Sequence, residues 1–160
     1  MIRPVQSTDA AAICDIYNSY IRDTIITFEE EPVDRQAMGH RIDAILPDLP
    51  WLVWEEQQQI LGYAYAARWR ERAAYRHSVE STIYLQPQVM GRGIGTRLYG
   101  DLLNELRRRG LHAVIGCISL PNAASVALHD KLGFTKIGQF PEVGRKFGRW
   151  VDVGYWQLLL

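Results

Sequence analysis

The sequence has little cysteine and no net charge. Its two cysteines, Cys14 and Cys117, form no CxxC pair, and its four histidines lack the spacing of metal ligands. These patterns argue against a disulfide framework and predict no metal site, so we expect two reduced core thiols. The 18 basic and 18 acidic residues give a formal net charge of zero. Because nucleic-acid-binding domains usually carry a basic excess, we expect no nucleic-acid partner.

Long apolar runs are also missing. No stretch approaches the ~20 apolar residues that a bilayer-spanning helix needs, and the N-terminus shows no signal-peptide pattern. We therefore expect a cytoplasmic protein with no membrane partner. The chain has 160 residues, of which 48% are hydrophobic and 22% charged. This is the size and composition of one globular domain, and no repeat, linker or low-complexity segment divides residues 1–160.

Hydrophobic periodicity predicts helices inserted among strands. The first helix follows a cap at Thr8 or Asp9, and a later one ends at Gly110. The predicted elements are strand 2–5, helix 10–21, helix 34–46, strands 51–54, 60–67 and 79–85, helix 94–109, strand 113–118, helix 121–132, and strands 134–140 and 150–160, with a loop at 142–149. This order, βααβββαβαββ, predicts a mixed α/β fold with a central sheet of about seven strands and four flanking helices.

A glycine-rich turn connects the strand 79–85 to the next helix. Gly91, Gly93 and Gly95 let backbone N–H groups approach an anion at the helix N-terminus, as a phosphate site requires. The dinucleotide-binding fingerprint is not met, because the next strand, 113–118, carries no acidic residue. The Walker pattern is not met either, because no Lys-Ser/Thr pair follows the glycines. The turn alone predicts either an anion site or a tight strand–helix connection.

Two motifs resemble those of the GNAT N-acetyltransferases. Met90–Gly95 resembles the Q/R-x-x-G-x-G/A pyrophosphate loop, and Asn122–Phe134 resembles the N-x-x-(A/S)-x-x-L-(Y/H)-x-x-x-G-F helix. Met90 departs from the family's Gln or Arg. Longer segments are similar to the branch of phosphinothricin and methionine sulfoximine acetyltransferases, in order over essentially all 160 residues: IYNSYI…TFEEEP, WLVWEE, GYAYAARWRERAAYRHSVESTIYL, SLPNAASVALHDKLGF and GRWVDVGYWQL.

The resemblance implies one GNAT acetyltransferase domain over residues 1–160. The implied enzyme uses acetyl-CoA as co-substrate, needs no metal, and acetylates the α-amino group of a phosphinothricin, methionine sulfoximine or methionine sulfone type of acceptor in a ternary complex. It also implies a homodimer. Alternatives are acetylation of a protein N-terminus or a polyamine, or a non-catalytic acyl-CoA-binding module. The implied acetyl-CoA contacts are Ile83, Tyr84, Leu85, Met90, Gly91, Arg92, Gly93, Ile94, Gly95, Thr96, Asn122 and Ser125.

Glu80 is the one charged residue within the strand 78–85. Burying a carboxylate is costly unless it is paired, and desolvation raises its pKa. Such a carboxylate can accept the proton of an amine that attacks a thioester. The resembling enzymes place their catalytic base at the Glu of this V-E-S-T segment. The alternative is a strand-edge carboxylate paired with an arginine.

Other candidate residues face the reaction from the helix 121–132 and from two loops. By resemblance, His129 protonates the departing thiolate or assists Glu80, and the alternative is a structural histidine. Phe28 and the loop 68–75 are predicted to bind the acceptor, with Arg72 and Tyr75 chosen because arginine binds acid groups bidentately. Arg70 or Arg76 are alternatives, as is a solvated basic loop. We assign no chemical role, only strand and core positions, to Trp51, Trp54, Trp150, Tyr155 and Trp156.

Overall fold

The predicted strands form a single seven-stranded sheet. The computed structural model describes residues 1–160. Its strands are β1 (Ile2–Pro4), β2 (Trp51–Glu56), β3 (Gln59–Arg68), β4 (Ser78–Leu85), β5 (Ala113–Leu120), β6 (Thr135–Lys146) and β7 (Arg149–Leu159), and its helices are α1 (Ala10–Asp23), α2 (Arg35–Ile45), α3 (Ile94–Arg108) and α4 (Ala123–Lys131). Their spatial order in the sheet is β1-β2-β3-β4-β5-β7-β6. The predicted element order and the mixed α/β architecture are confirmed.

The core lies on both faces of this sheet. One face packs against α3, whose residues Leu98, Leu102 and Leu106 are fully buried. The other face packs against α1 and α2, where Ile13 and Ile42 are equally buried. These residues follow the helical spacing that predicted the helices, so the apolar stripe of each helix is the stripe that the sheet covers.

The N-terminal cap of α1 agrees in part with the prediction. Asp9 occupies the N-cap position after a 3₁₀ turn over Ser7–Asp9, but its side chain accepts no hydrogen bond from the first turn of the helix. The Asp9 carboxylate instead accepts hydrogen bonds from the Gln6 backbone N–H and from Arg3, both at 2.8 Å. Burial would raise the pKa of Asp9, but the hydrogen bonds from Arg3 and Gln6 outweigh burial and lower it.

The predicted loop at 142–149 is wrong. β6 continues through Lys146, and the chain reverses at Phe147 and Gly148, both with positive φ. The two strands pair again from Gly144↔Val151 to Lys146↔Arg149 after an irregularity in β6. The glycine, arginine and lysine residues suggested a loop, but β6 is an edge strand, where polar residues and irregular pairing are tolerated.

Candidate active site

The sheet splits between β4 and β5. These strands are parallel and pair only from Ser78↔Ala113 to Glu80↔Ile115, whereas β3 and β4 remain paired through Gly62↔Leu85. The edge of β4 that faces β5 therefore has no strand partner beyond Glu80. Unpaired backbone groups of this kind are available to hydrogen-bond a ligand that lies along the strand.

A cavity of about 340 Å³ opens beside this split and reaches the glycine turn. Gly91 and Gly93 have φ of +80° and +78°, which glycine adopts without strain, and no side chain caps the N-terminus of α3. Its first N–H groups are therefore free to bind an anion. The predicted acetyl-CoA contacts that line this cavity are Ile83, Leu85, Met90, Gly91, Gly93, Gly95, Thr96, Asn122 and Ser125.

Three predicted contact side chains lie outside this cavity. Arg92 forms an ion pair with Glu56 at 2.9 Å, and Ile94 is buried in the core beneath the turn. Tyr84 belongs to the opposite face of the sheet, where it packs against Tyr17 and Tyr20. Of these three residues, only Tyr84 lines a neighbouring cavity, the one that contains Glu80.

The groove also contains residues that the sequence did not single out. Lys131, in the last turn of α4, lines the cavity and adds a positive charge to it. Tyr20 lines the cavity as well and donates a hydrogen bond from its hydroxyl to the Leu85 carbonyl at 2.6 Å. The sequence could have indicated Lys131 only by its position, as a basic residue in the last turn of the helix that begins at the Asn122 motif.

A second cavity, of about 470 Å³, adjoins the first and contains Glu80. Ile26, Ile83, Asn122 and Ser125 line both cavities, so the two are parts of one cleft. Burial raises the pKa of Glu80 above its usual 4.5, and the Cys117 thiol and the Arg70 charge offset this effect only in part. Glu80 is thus a half-buried carboxylate with increased affinity for a proton.

The predicted core position of Cys117 is wrong. Cys117 lines the second cavity together with Glu80, and part of its surface is exposed there. Partial desolvation by the walls of the cleft and the nearby Glu80 charge raise the pKa of this thiol to about 12. The thiol therefore stays protonated and is not a nucleophile at neutral pH.

Two aromatic residues were also assigned wrongly to the core. Tyr155 is the strand partner of Cys117 and lines the cavity with it, and Trp150 is 62% exposed. The β4–β5 and β5–β7 registers place Ile115 and Tyr155 on the Glu80 face of the sheet. This placement depends on strand register, which the sequence alone did not specify.

His129 is 4% exposed and lines the second cavity. Its Nδ1 lies 2.7 Å from the Ser125 carbonyl oxygen, which can only accept, so Nδ1 carries the proton. Its Nε2 then accepts from the Tyr99 hydroxyl at 3.1 Å, and Tyr99 in turn bonds to Ser81 at 2.5 Å. Burial lowers the pKa of His129. The ring is thus neutral, and both of its nitrogens have protein partners.

The predicted acceptor-binding residues are distributed over two places. Phe28 lines the cavity that contains Glu80. Arg70, Arg72 and Tyr75 line a different cavity, of about 200 Å³, beside Asp48. Of these three residues, only Arg70 has a charge that acts on Glu80 and Cys117. Within one chain, the structure therefore brings Phe28 into the Glu80 cavity and leaves the two arginines and Tyr75 in the separate one.

Neither a metal site nor a membrane-spanning helix is found in the structure. No group of three or more His, Cys, Asp or Glu side chains is arranged to hold a metal ion. None of the helices has the length and the apolar character that crossing a bilayer requires.

Known proteins resemble this chain over its whole length. It is 40% identical to the phosphinothricin N-acetyltransferase of Streptomyces viridochromogenes, over 98% of this chain and 85% of that protein. It is 38% identical to an L-methionine sulfoximine/L-methionine sulfone acetyltransferase of Salmonella typhimurium, over 99% of this chain and 94% of that protein.

Solved structures and family models agree with these relatives. An acetyltransferase from Salmonella typhimurium, solved with its cofactor acetyl-CoA, matches with a TM-score of 0.96 and 39% identity, over 100% of this chain and 93% of that one. The family model described as an acetyltransferase (GNAT) domain matches residues 2–154. The glycine turn, the split sheet and these matches together show that the chain belongs to the GNAT family of acetyltransferases.

Proposed function

We propose that this enzyme transfers the acetyl group of acetyl-CoA to the α-amino group of a small amino-acid analogue of the phosphinothricin, methionine sulfoximine or methionine sulfone type. The observation that carries the proposal is the split between β4 and β5. It forms one cleft with the free N-terminus of α3 at one end and Glu80 at the other. The names of the relatives support this class of acceptor.

The groove fits acetyl-CoA by its shape and its donors. The pyrophosphate would lie on the backbone of Gly91–Gly95, and the pantetheine arm along the unpaired edge of Ile83–Leu85. Asn122 and Ser125, at the start of α4, line this path. Bound acetyl-CoA supplies the activated thioester, and the residues of the chain orient it and exclude water from it.

Glu80 is the proposed general base. An ammonium group must lose a proton before its nitrogen can attack a carbonyl carbon, and a carboxylate of raised pKa in the cleft can accept that proton, directly or through water. The Cys117 side chain lines the same cavity as the carboxylate. Direct transfer in a ternary complex follows, because no activated nucleophile lies in the cleft to carry the acetyl group.

His129 has a positioning role in this proposal. A neutral ring whose only proton is bonded to the Ser125 carbonyl has no proton to give to a thiolate. The ring does orient Tyr99, whose hydroxyl also contacts Ser81 on β4 beside Glu80. This network fixes the wall of the cleft at the point where β4 and β5 separate.

An acceptor screen tests the proposed function. Release of CoA thiol is measured with acetyl-CoA and methionine sulfoximine, methionine sulfone or phosphinothricin, and with an N-terminal peptide and spermidine as rival acceptors. We expect turnover with the amino-acid analogues, at the highest kcat/KM of the set. Preference for the peptide or spermidine would favour a different GNAT activity. Calorimetric binding of acetyl-CoA without thiol release by any amine would favour a binding module.

Arg70, rather than Arg72, is proposed to bind the carboxylate of the acceptor within one chain. We expect Arg70→Ala to raise the KM of the acceptor about tenfold, as the loss of a charge-assisted hydrogen bond would. Arg72→Ala is the matched control because Arg72 lines the same cavity beside Asp48 as Arg70 does, but only the charge of Arg70 acts on Glu80. Steady-state kinetics with varied acceptor measure both variants. A larger rise of the acceptor KM in Arg72→Ala than in Arg70→Ala would support Arg72 as the acceptor-binding arginine, as the sequence predicted.

A homodimer in the cytoplasm is the proposed working form. Six large apolar side chains of β6, β7 and their connection are more than half exposed: Ile137, Phe140, Val143, Phe147, Trp150 and Leu159. Apolar groups concentrated on one edge of a sheet are typical of an interaction surface. Two free cysteines suit a reducing compartment. Sedimentation velocity measures the assembly state.

A further inference from the structure

Lys146 is a buried lysine that the proposed chemistry does not use. It lies at the end of β6, is 2% exposed, and donates a hydrogen bond from Nζ to the Thr27 carbonyl oxygen at 2.7 Å. Its Nζ also lies 5.1 Å from the centre of the Phe147 ring. Lysine is almost never fully buried unless it is paired. Thr27 belongs to the acceptor loop, which we define as residues 24–32 between α1 and α2.

A second contact joins the same two segments. Gly144 is two residues before Lys146, so the two residues share one face of β6. A Cβ atom at Gly144 would lie 2.2 Å from Cε2 of Phe28. The Phe28 ring therefore lies directly on the Gly144 backbone, in a position that only glycine leaves open. Phe28 lines the cavity that contains Glu80.

The other side-chain hydrogen bonds of the acceptor loop stay within the loop or go to α1 and α2. The Thr27 hydroxyl bonds to the Tyr17 hydroxyl at 2.8 Å, and Glu29 forms an ion pair with Arg41. The Lys146–Thr27 bond is the only side-chain hydrogen bond between this loop and β6. It spans the acceptor end of the cleft, from the helical layer to the edge of the sheet.

We propose that Lys146 is a positioning residue for acceptor binding, which holds the acceptor loop against β6 so that Phe28 closes the cavity above Glu80. This inference rests on the proposed function, because it assigns Phe28 to the acceptor side of the cleft. The acetyl-CoA groove lies at the other end of β4, against the glycine turn, and Ile26 is the one residue of the acceptor loop that lines it. Lys146 thus acts mainly on acceptor binding.

The test variant is Lys146→Met, which keeps most of the side-chain volume and removes the donor. We expect the KM of the acceptor to rise about tenfold, as the loss of one hydrogen bond would, while the KM of acetyl-CoA stays within about twofold. Amide hydrogen exchange in residues 24–32 should become faster, and exchange in α3 should not change. Lys136→Met is the matched control, since Lys136 is an exposed lysine of the same strand. This control should leave both KM values and the exchange rates of residues 24–32 and of α3 unchanged.

A second variant covers the case in which Lys146→Met does not fold. Gly144→Ala must displace the Phe28 ring while it leaves Lys146 in place, and we expect the same separation of the two KM values. Phe28→Ala gives a double-mutant cycle. Because Lys146 acts through Phe28, adding Lys146→Met to Phe28→Ala should raise the acceptor KM by less than about twofold. Partial recovery of acceptor KM in Lys146→Arg would support the same role.

Three results would overturn the inference. They are unchanged acceptor KM with a lowered melting temperature, an equal rise of both KM values, or unchanged exchange in residues 24–32. Each of these results is expected for a lysine that only stabilises the fold. Absence of turnover by the unmodified enzyme with every amine would contradict the proposed function instead, and the exchange measurement would still decide whether Lys146 holds the loop.

Discussion

Replacing Glu80 with glutamine is expected to lower kcat/KM for the amino-acid acceptor by about 10²- to 10⁴-fold, the usual contribution of a general base. Glutamine keeps the size and the polarity of the side chain but cannot accept a proton at neutral pH. The cleft and the glycine turn remain available, so the loss reports on proton transfer. The measurement is thiol release under steady-state conditions with the acceptor varied.

The pH profile separates this role from a structural one. Burial raises the pKa of Glu80, so the carboxyl group of the unmodified enzyme is protonated and inactive below that pKa. As pH rises through it, the carboxylate forms and kcat/KM should increase. Glu80→Gln should lose this limb of the profile and keep only the rise that belongs to the acceptor amine. The change should therefore alter the shape of the profile as well as its height.

Two controls accompany this experiment. Calorimetry should show an acetyl-CoA dissociation constant within about twofold of the unmodified enzyme, because Glu80 lies at the far end of the cleft from the glycine turn. Glu142→Gln, at an exposed position of β6, should leave the kinetics unchanged. If Glu80→Gln turned over at the full rate at every pH, Glu80 would not be the base.

The sequence predicted the fold well where periodicity is strong. Leu98, Leu102 and Leu106 recur every four residues, and a stripe of that kind can be satisfied only by packing on another layer. Prediction failed only in the second half of β6, where glycines and charged residues interrupt the pattern. An edge strand needs only one partner, so it accepts residues that would break a central strand. Its pairing with β7 is long-range and is not encoded in local composition.

The sequence predicted those residues of the cleft that belong to one local motif, and it missed those that other strands bring in. Glu80 and the glycine turn lie on one continuous stretch, so the sequence alone placed them at the two ends of β4. Cys117 and Tyr155 reach Glu80 only through the registers of β5 and β7. A shift of one residue in either strand would point their side chains at the other face, and no local signal sets that register.

The tyrosine beside His129 shows the same limit. Tyr99 lies within the apolar stripe of α3 and is fully buried, so the sequence treats it as another core residue. Its hydroxyl, however, bonds to Ser81 on β4 and to His129 on α4. This partner occupies Nε2 of His129, and no spacing rule connects it to the histidine. We therefore propose a positioning role for His129 in place of the proton donor that the sequence suggested.

Placing a negative charge at Gly93 is expected to raise the KM of acetyl-CoA by about 100-fold. Gly93 lies at the N-cap of α3 with φ of +78°, and a Cβ there would meet nothing within 4 Å. Aspartate and asparagine tolerate this left-handed conformation better than other side chains, so Gly93→Asp should fold. The carboxylate would then occupy the place where the α3 N-terminus is proposed to bind the pyrophosphate. At a separation of about 4 Å, two like charges near a protein surface repel by up to ~4 kcal/mol before salt screening, and 100-fold corresponds to ~2.7 kcal/mol.

Matched variants isolate the charge from the backbone conformation. Gly93→Asn has the same shape and the same φ requirement without the charge, so its KM for acetyl-CoA should rise by about tenfold or less. Gly100→Asp adds the same charge to α3 at a position with open space around it and away from the cleft, and it should have little effect. Raising the salt concentration should reduce the difference between Gly93→Asp and Gly93→Asn, because screening weakens repulsion between exposed charges. Equal effects of the Asp and Asn variants would mean that the turn binds acetyl-CoA through its shape alone, and the pyrophosphate would then lie elsewhere in the groove.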